Sequence, residues 1–267
     1  MSNSGGGTDK MGNAVNAGGS SAGGQGSSWL ARALLVDGVV APVLMGVSAL
    51  GTSIGIWPFT LGLLLLLGAF LLSVMGIVGA LVSLYLSRKP GREGDRALAL
   101  IGLALCATVA AVFLFYAVPG FKVPPIHDIS TDIAAPPDYS PTLQAARGST
   151  ANALERSPEV DAAQSKAYPD LVPITATATA DESYQRALKV AGELGWQIVN
   201  SVPGEGRIEA TSTTRWMGFK DDVVIRVRAS ATGGSVLDLR SVSRVGVGDA
   251  GANAARIRAF RERFAAG

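Results

Sequence analysis

Three apolar runs, each long enough to cross a lipid bilayer, crowd into positions 34–118 of the chain. They occupy 34–56, 61–86 and 97–118, and about 20 residues rising 1.5 Å each suffice to span the hydrocarbon core. A soluble helix of that length with no polar stripe would be unusual. The second run is the strongest, with consecutive leucines from Leu63 to Leu67, whereas Asp37 and Pro42 interrupt the first. Three spanning helices are therefore predicted within 29–119. The ten-residue loop 87–96 carries Arg88, Lys89, Arg92 and Arg96, while the 57–60 loop carries no charge. Basic loops stay cytoplasmic, so the chain before the first span is expected inside and everything after 119 outside. Trp57 and Tyr116 fall at the outer aromatic belt and Tyr85 at the inner one. Asp37 lies two turns from Arg32 and is expected among headgroups, paired with it. The Gly51–Gly55 spacing is that of a weak helix-contact motif.

Residues 1–28 are Gly- and Ser-rich, with no basic segment followed by an apolar core, so they are predicted to be a disordered tail and not a signal peptide. Cys106 is the single cysteine and His127 the single histidine, which excludes disulfide frameworks, thiolate zinc sites and multi-histidine metal centres. A Ser-His-Asp triad would have to use His127 in its proline-flanked loop. No metal, cofactor or catalytic residue is expected. Residues 121–267 carry 17 basic and 17 acidic side chains, a balance that argues against a nucleic-acid partner.

Beyond the helices, 120–172 is rich in Pro, Asp, Ser and Ala and reads as an extended lead-in with one short helix near 158–165. From 173 to 267 the pattern sharpens into an α+β module. Positions 174–179 alternate as a strand, and Thr179 with Glu182 form a capping box before an amphipathic helix stopped at Gly195. Four strand-like runs follow, at 196–201, 207–214, 219–228 and 236–245, then a helix from about 250 to 264 with Asn253, Ile257, Phe260 and Phe264 on one face. The order β-α-β-β-β-β-α predicts a small antiparallel sheet with helices packed on one face.

Several stretches then resemble a bacterial domain-of-unknown-function family, the one numbered 1499. They are PPIHDISTD from Pro124, RIEAT from Arg207, FKDDVVIR from Phe219, DLRSVSRVG from Asp238 and DAGANAARI from Asp249. The resemblance covers roughly 121–265. It implies an envelope-associated domain and no catalytic role for any residue.

Alternation along the strands sorts the motif residues onto two faces. Arg226, Arg228, Arg240 and Arg244 fall together on the outer face, with Asp222 and Asp238 among them. That face is either laced by cross-strand charge pairs, covered by the acidic lead-in through Asp128, Asp132 and Asp138, or left as an anion-binding surface. Asp221 falls on the apolar face, where an unpaired charge is costly, and a polar knot with Asn253, Ser241 and Ser243 is expected. Adjacent strand residues face opposite ways, so Asp221 and Asp222 cannot act jointly. The glycines at 246, 248 and 251 lack a Rossmann context and read as a strand-to-helix connection. The expected protein is a multi-pass protein of the bacterial inner (plasma) membrane, holding a binding or scaffolding module in the periplasm or cell exterior. Its expected partners are the lipid bilayer and an envelope protein or anionic lipid. The alternative is an envelope enzyme using Asp or Glu acid–base chemistry.

Overall fold

A computed structural model describes residues 28–267; apart from Ser28, the expected tail at 1–28 lies outside the described residues. Three helices, α1 (Trp29–Ser53), α2 (Phe59–Leu86) and α3 (Glu93–Ala117), are long and apolar enough to cross a membrane. A 3-10 turn, Val118–Lys122, follows α3.

Small residues make the bundle seam. In α2 the buried positions are Gly62, Ala69, Ser73, Gly76, Ala80 and Ser83, a heptad-like series, while Leu64 and Met75 point outward. The closest approach is between α1 and α3. A Cβ at Gly38 would lie 2.9 Å from Gly102 Cα, and one at Gly102 would lie 2.7 Å from the Leu34 carbonyl oxygen. The Gly51–Gly55 expectation is corrected, because α1 ends at Ser53 and Gly55 turns the chain at φ +76°. Gly51 instead seats the Trp57 ring. The half-buried Asp37 turns towards the helix seam, where its carboxylate accepts from Cys106 Sγ at 3.7 Å beside Gly76.

The remainder contains β1 (Asp128–Ser130), α4 (Pro141–Arg147), α5 (Pro158–Ala167), β2 (Ile174–Ala176), α6 (Ala180–Glu193), β3 (Gln197–Val202), β4 (Arg207–Thr213), β5 (Lys220–Ala229), β6 (Ser235–Ser243) and α7 (Ala252–Ala266). All pairings are antiparallel, in the order β1-β6-β5-β4-β3, with β2 alongside β1 on the same edge of β6. The capping box forms as read: Thr179 Oγ1 accepts from the Glu182 amide, and Glu182 Oε2 accepts from the Thr179 amide at 2.9 Å.

One sheet face is apolar. Ile208, Ala210, Val223, Ile225, Val227, Leu237 and Leu239 pack against Tyr184, Ala187 and Val190 of α6 and Ile257, Phe260 and Phe264 of α7. Phe260 is fully buried, with Trp196 and Phe264 stacked on either side at 5.7 and 5.9 Å.

The expectation of helices on one face only is corrected by the segment before β2. It supplies an edge strand and two helices, and it covers the opposite face, where Tyr139 and Leu143 pack on Val224 and Val242. Ser140 and Ser157 cap α4 and α5 with proline at the first helical position. Gln164 of α5 then finishes the edge. Its Oε1 accepts from the Ser130 amide at 3.0 Å, and its Nε2 donates to the Ser130 carbonyl at 2.5 Å.

Candidate functional site

The four arginines singled out from the sequence stand on the face beneath the 128–165 segment, and each meets an aspartate. Arg226 Nη2 donates to Asp238 at 2.9 Å and Asp132 at 3.0 Å, and Arg228 donates to Asp238 at 2.6 Å. Arg240 is buried, reaches Asp128 at 2.8 Å and also donates to the Leu154 carbonyl. Arg244 grips both oxygens of Asp222 at 2.8 and 2.9 Å. The segment adds its own cations: Arg147 donates to Asp222 at 2.7 Å, and Arg156 to Asp128 and Asp161 at 2.7 Å. Asp138 lies with Tyr139 and Arg240 along an open groove.

Of the alternatives for this outer face, covering by the lead-in is the one seen, through Asp128 and Asp132; α4 of the same segment also folds over Asp222 and leaves it fully buried between Arg147, Arg244 and Thr211. Glu209, also fully buried, accepts from the Ser140 amide and hydroxyl at 2.5 Å and from Asn200 at 2.9 Å. It holds the start of α4 against the sheet. The sequence reading missed it; its one signal was a carboxylate beside the Ile208–Ala210 alternation. Burial pushes the Tyr139 phenol well above its usual range, and its hydroxyl donates to the Asp222 carbonyl at 2.9 Å.

On the other face the polar residues gather as expected, with one change. Ser241 Oγ donates to Asn253 Oδ1 at 2.6 Å, and Asn253 Nδ2 donates to Ser243 Oγ at 2.9 Å and to the His127 carbonyl at 3.0 Å. Asp221 does not bond Asn253 directly. Arg256 lies between them, donating to Asp221 Oδ2 and, at 2.6 Å, to Asn253 Oδ1. One turn N-terminal, Asp249 caps α7 by accepting from the amides of Gly251 and Asn253 at 2.8 Å. Burial raises the Asp249 carboxyl above its usual value; the Asn253 and Gly251 amides pull it back, and the nearby Asp221 adds to the rise.

A second, mostly apolar open feature lies where the sheet meets the bundle. The β4–β5 connection, 214–219, bends over the end of the bundle marked by the α1–α2 turn. Phe219 meets Phe59 edge to face at 6.4 Å, and Trp216 stacks on Tyr116 at 6.0 Å. Gly218, at φ +68°, passes so close that a Cβ would lie 2.7 Å from Ser53 Cα; no other residue fits there. Met217 is buried against Gly62. The sequence did hold a signal, since Trp216, Met217 and Phe219 at a hairpin tip demand an apolar partner.

Between this hairpin and α2 and α3 lies a chamber of about 530 Å³, walled by Leu63, Leu66, Val112, Phe113, Tyr116 and Met217. Arg215 is the one charged residue on its wall. A second cavity of about 300 Å³ shares Leu63, Thr214 and Phe219 with it and is lined further by Asp221, Ser243 and Asp249. Among the described residues no cluster of His, Cys, Asp and Glu is arranged to hold a metal ion.

Residues 128–264, just over half of the chain, match the family described as Protein of unknown function (DUF1499). No curated protein matches the sequence.

Proposed function

Since the chain belongs to the DUF1499 family, whose description carries no activity, we propose a function from the geometry of the joint. The protein is a multi-pass protein of the bacterial plasma membrane that binds an acyl-chain amphiphile between its three helices and its extracytoplasmic module. The observation that carries this reading is the chamber, with one wall from membrane-length helices and the other from the 214–219 hairpin. Its volume lies within the roughly 300–1,000 Å³ of small-molecule sites, and its lining is almost wholly apolar. The acid–base enzyme reading has less support, because Asp221 is engaged by Arg256 and Asp249 by the first amides of α7.

Sidedness follows from charge. The module packs on the end of the bundle holding the uncharged α1–α2 turn, and the basic 87–96 loop lies at the other end, the cytoplasmic one by the positive-inside rule. A phosphatase active only outside the cytoplasm, fused after Gly267, should be active; silence there, with a working cytoplasmic reporter, reverses the orientation.

For binding, the full-length protein is placed in nanodiscs containing a phospholipid with a photoactivatable acyl chain. Crosslinks are expected in both 112–117 and 214–219. Crosslinks confined to outward positions such as Leu64 and Met75 would describe ordinary boundary lipid and defeat the reading.

A further inference from the structure

We infer that the amphiphile is a phospholipid with an anionic headgroup, and that Arg215 is the residue that receives its phosphate. This deepens the chamber reading and rests on it.

Of the thirteen arginines between 121 and 267, eleven meet a carboxylate of the same chain. A twelfth, Arg186, lies 4.7 Å above the Phe264 ring. Arg215 is the exception: it is exposed and makes no hydrogen bond or ion pair among the described residues. Among the described arginines of 121–267, the one with neither a carboxylate nor a ring beside it stands on the wall of an apolar chamber.

Its neighbours fit the same occupant. Trp216 and Tyr116 stack together beside it, and such amphipathic rings settle at headgroup depth. The carboxylates that line the adjoining cavity, Asp221 and Asp249, are held by Arg256 and by backbone amides. Arg215 thus places a single positive charge on the wall of an acyl-sized space. A guanidinium offers forked donors to phosphate oxygens, and a tail in the chamber would place its phosphate near the arginine.

The test uses full-length protein in phosphatidylcholine nanodiscs. A trace of phosphatidylglycerol or phosphatidylcholine, each with the same photoactivatable chain, is crosslinked and mapped to 214–219. Wild type should favour phosphatidylglycerol by about fivefold, the size expected for one cation at a lipid surface. Arg215→Gln should lose that preference, with phosphatidylglycerol crosslinking falling more than phosphatidylcholine crosslinking, Arg215→Lys should keep part of it, and Lys166→Gln, at an exposed position of α5, should behave as wild type. Equal crosslinking of both lipids, or a preference surviving in Arg215→Gln, overturns the anionic inference but leaves the chamber reading standing. Absence of chamber crosslinks from either lipid overturns both.

Discussion

The two faces of the sheet are built from alternate residues of the same strands, yet they are held by different physics. Towards α6 and α7, Val223, Ile225, Leu237 and Leu239 bury area against Phe260 and Ile257. Such contacts are non-directional and tolerate exchange of one apolar side chain for another of similar volume. Towards the 128–165 segment, Asp222, Arg240 and Asp238 hold Arg147, Asp128 and Arg226. There the desolvation cost is large and repaid only when every partner is present. One face is tuned by volume and the other by completeness. The ionic face therefore loses stability abruptly when one charge is deleted, and its segment is the part of the fold most sensitive to single polar mutations.

The largest expected effect tests that difference directly. Asp222→Ala leaves the buried Arg147 and the partly buried Arg244 without their carboxylate, and should cost about 3–5 kcal/mol. Adding Arg147→Met and Arg244→Met should recover most of the loss, as measured by thermal melting of the full-length protein in detergent. If the triple variant melts no higher than the single one, the face is not held by paired charge.

Phe260→Ala should cost a comparable amount, about 3–5 kcal/mol, through the cavity it opens between Trp196 and Phe264. No second deletion should restore it, and rescue by a charge change elsewhere would blur the two faces into one. A smaller effect is expected at the polar knot. Asp221→Ala and Arg256→Ala should each destabilise, and a double-mutant cycle should show about 0.5–3 kcal/mol of coupling. Strict additivity would show that Arg256 does not bridge Asp221 to Asn253.

The smallest effects are in pH dependence and have opposite signs. The Arg258 guanidinium, by hydrogen bonding, holds the Asp170 carboxyl well below its ordinary value of 3.8, although burial opposes this. Its stabilisation is present above 3.8 and lost as pH falls through the depressed value. Asp249 is raised by burial, so its contribution is present below 3.8 and lost as pH rises through the elevated value. Asp170→Asn should flatten the acid limb of a melting-temperature profile, and Asp249→Asn the limb above 3.8. A profile that neither variant changes would detach both carboxyls from folding.

What the sequence made legible was whatever local periodicity encodes. The three helices, the Thr179–Glu182 box, the later strands and the Phe260 stripe all announce themselves within a few residues. Face assignment was equally readable: alternation put Asp221 and Asp222 on opposite sides, where they are. Burial was not, because it depends on what arrives from elsewhere. The three residues of β1 sit close behind prolines and become a strand only through pairing with 240–242 of β6. Asp222 becomes a buried anion only because α4, 75 positions earlier in the chain, delivers Arg147. Arg256 turns inward because Asp221 waits across the α7–sheet gap, a partnership no helical wheel reveals. The chamber was hidden for the same reason, since its walls come from 45–117 and 214–250.

Gln164 has a consequence of another kind. A protein held in a bilayer diffuses in two dimensions with its neighbours aligned, so an open strand edge would meet identical edges already oriented to zip. The side-chain amide of Gln164 presents to Ser130 one donor and one acceptor, as the next strand would. The opposite edge, β3, is irregular between Ile198 and Asn200, which spoils its match to a straight partner. A single glutamine thus acts as a counterfeit strand and blunts that edge against pairing with a neighbouring copy.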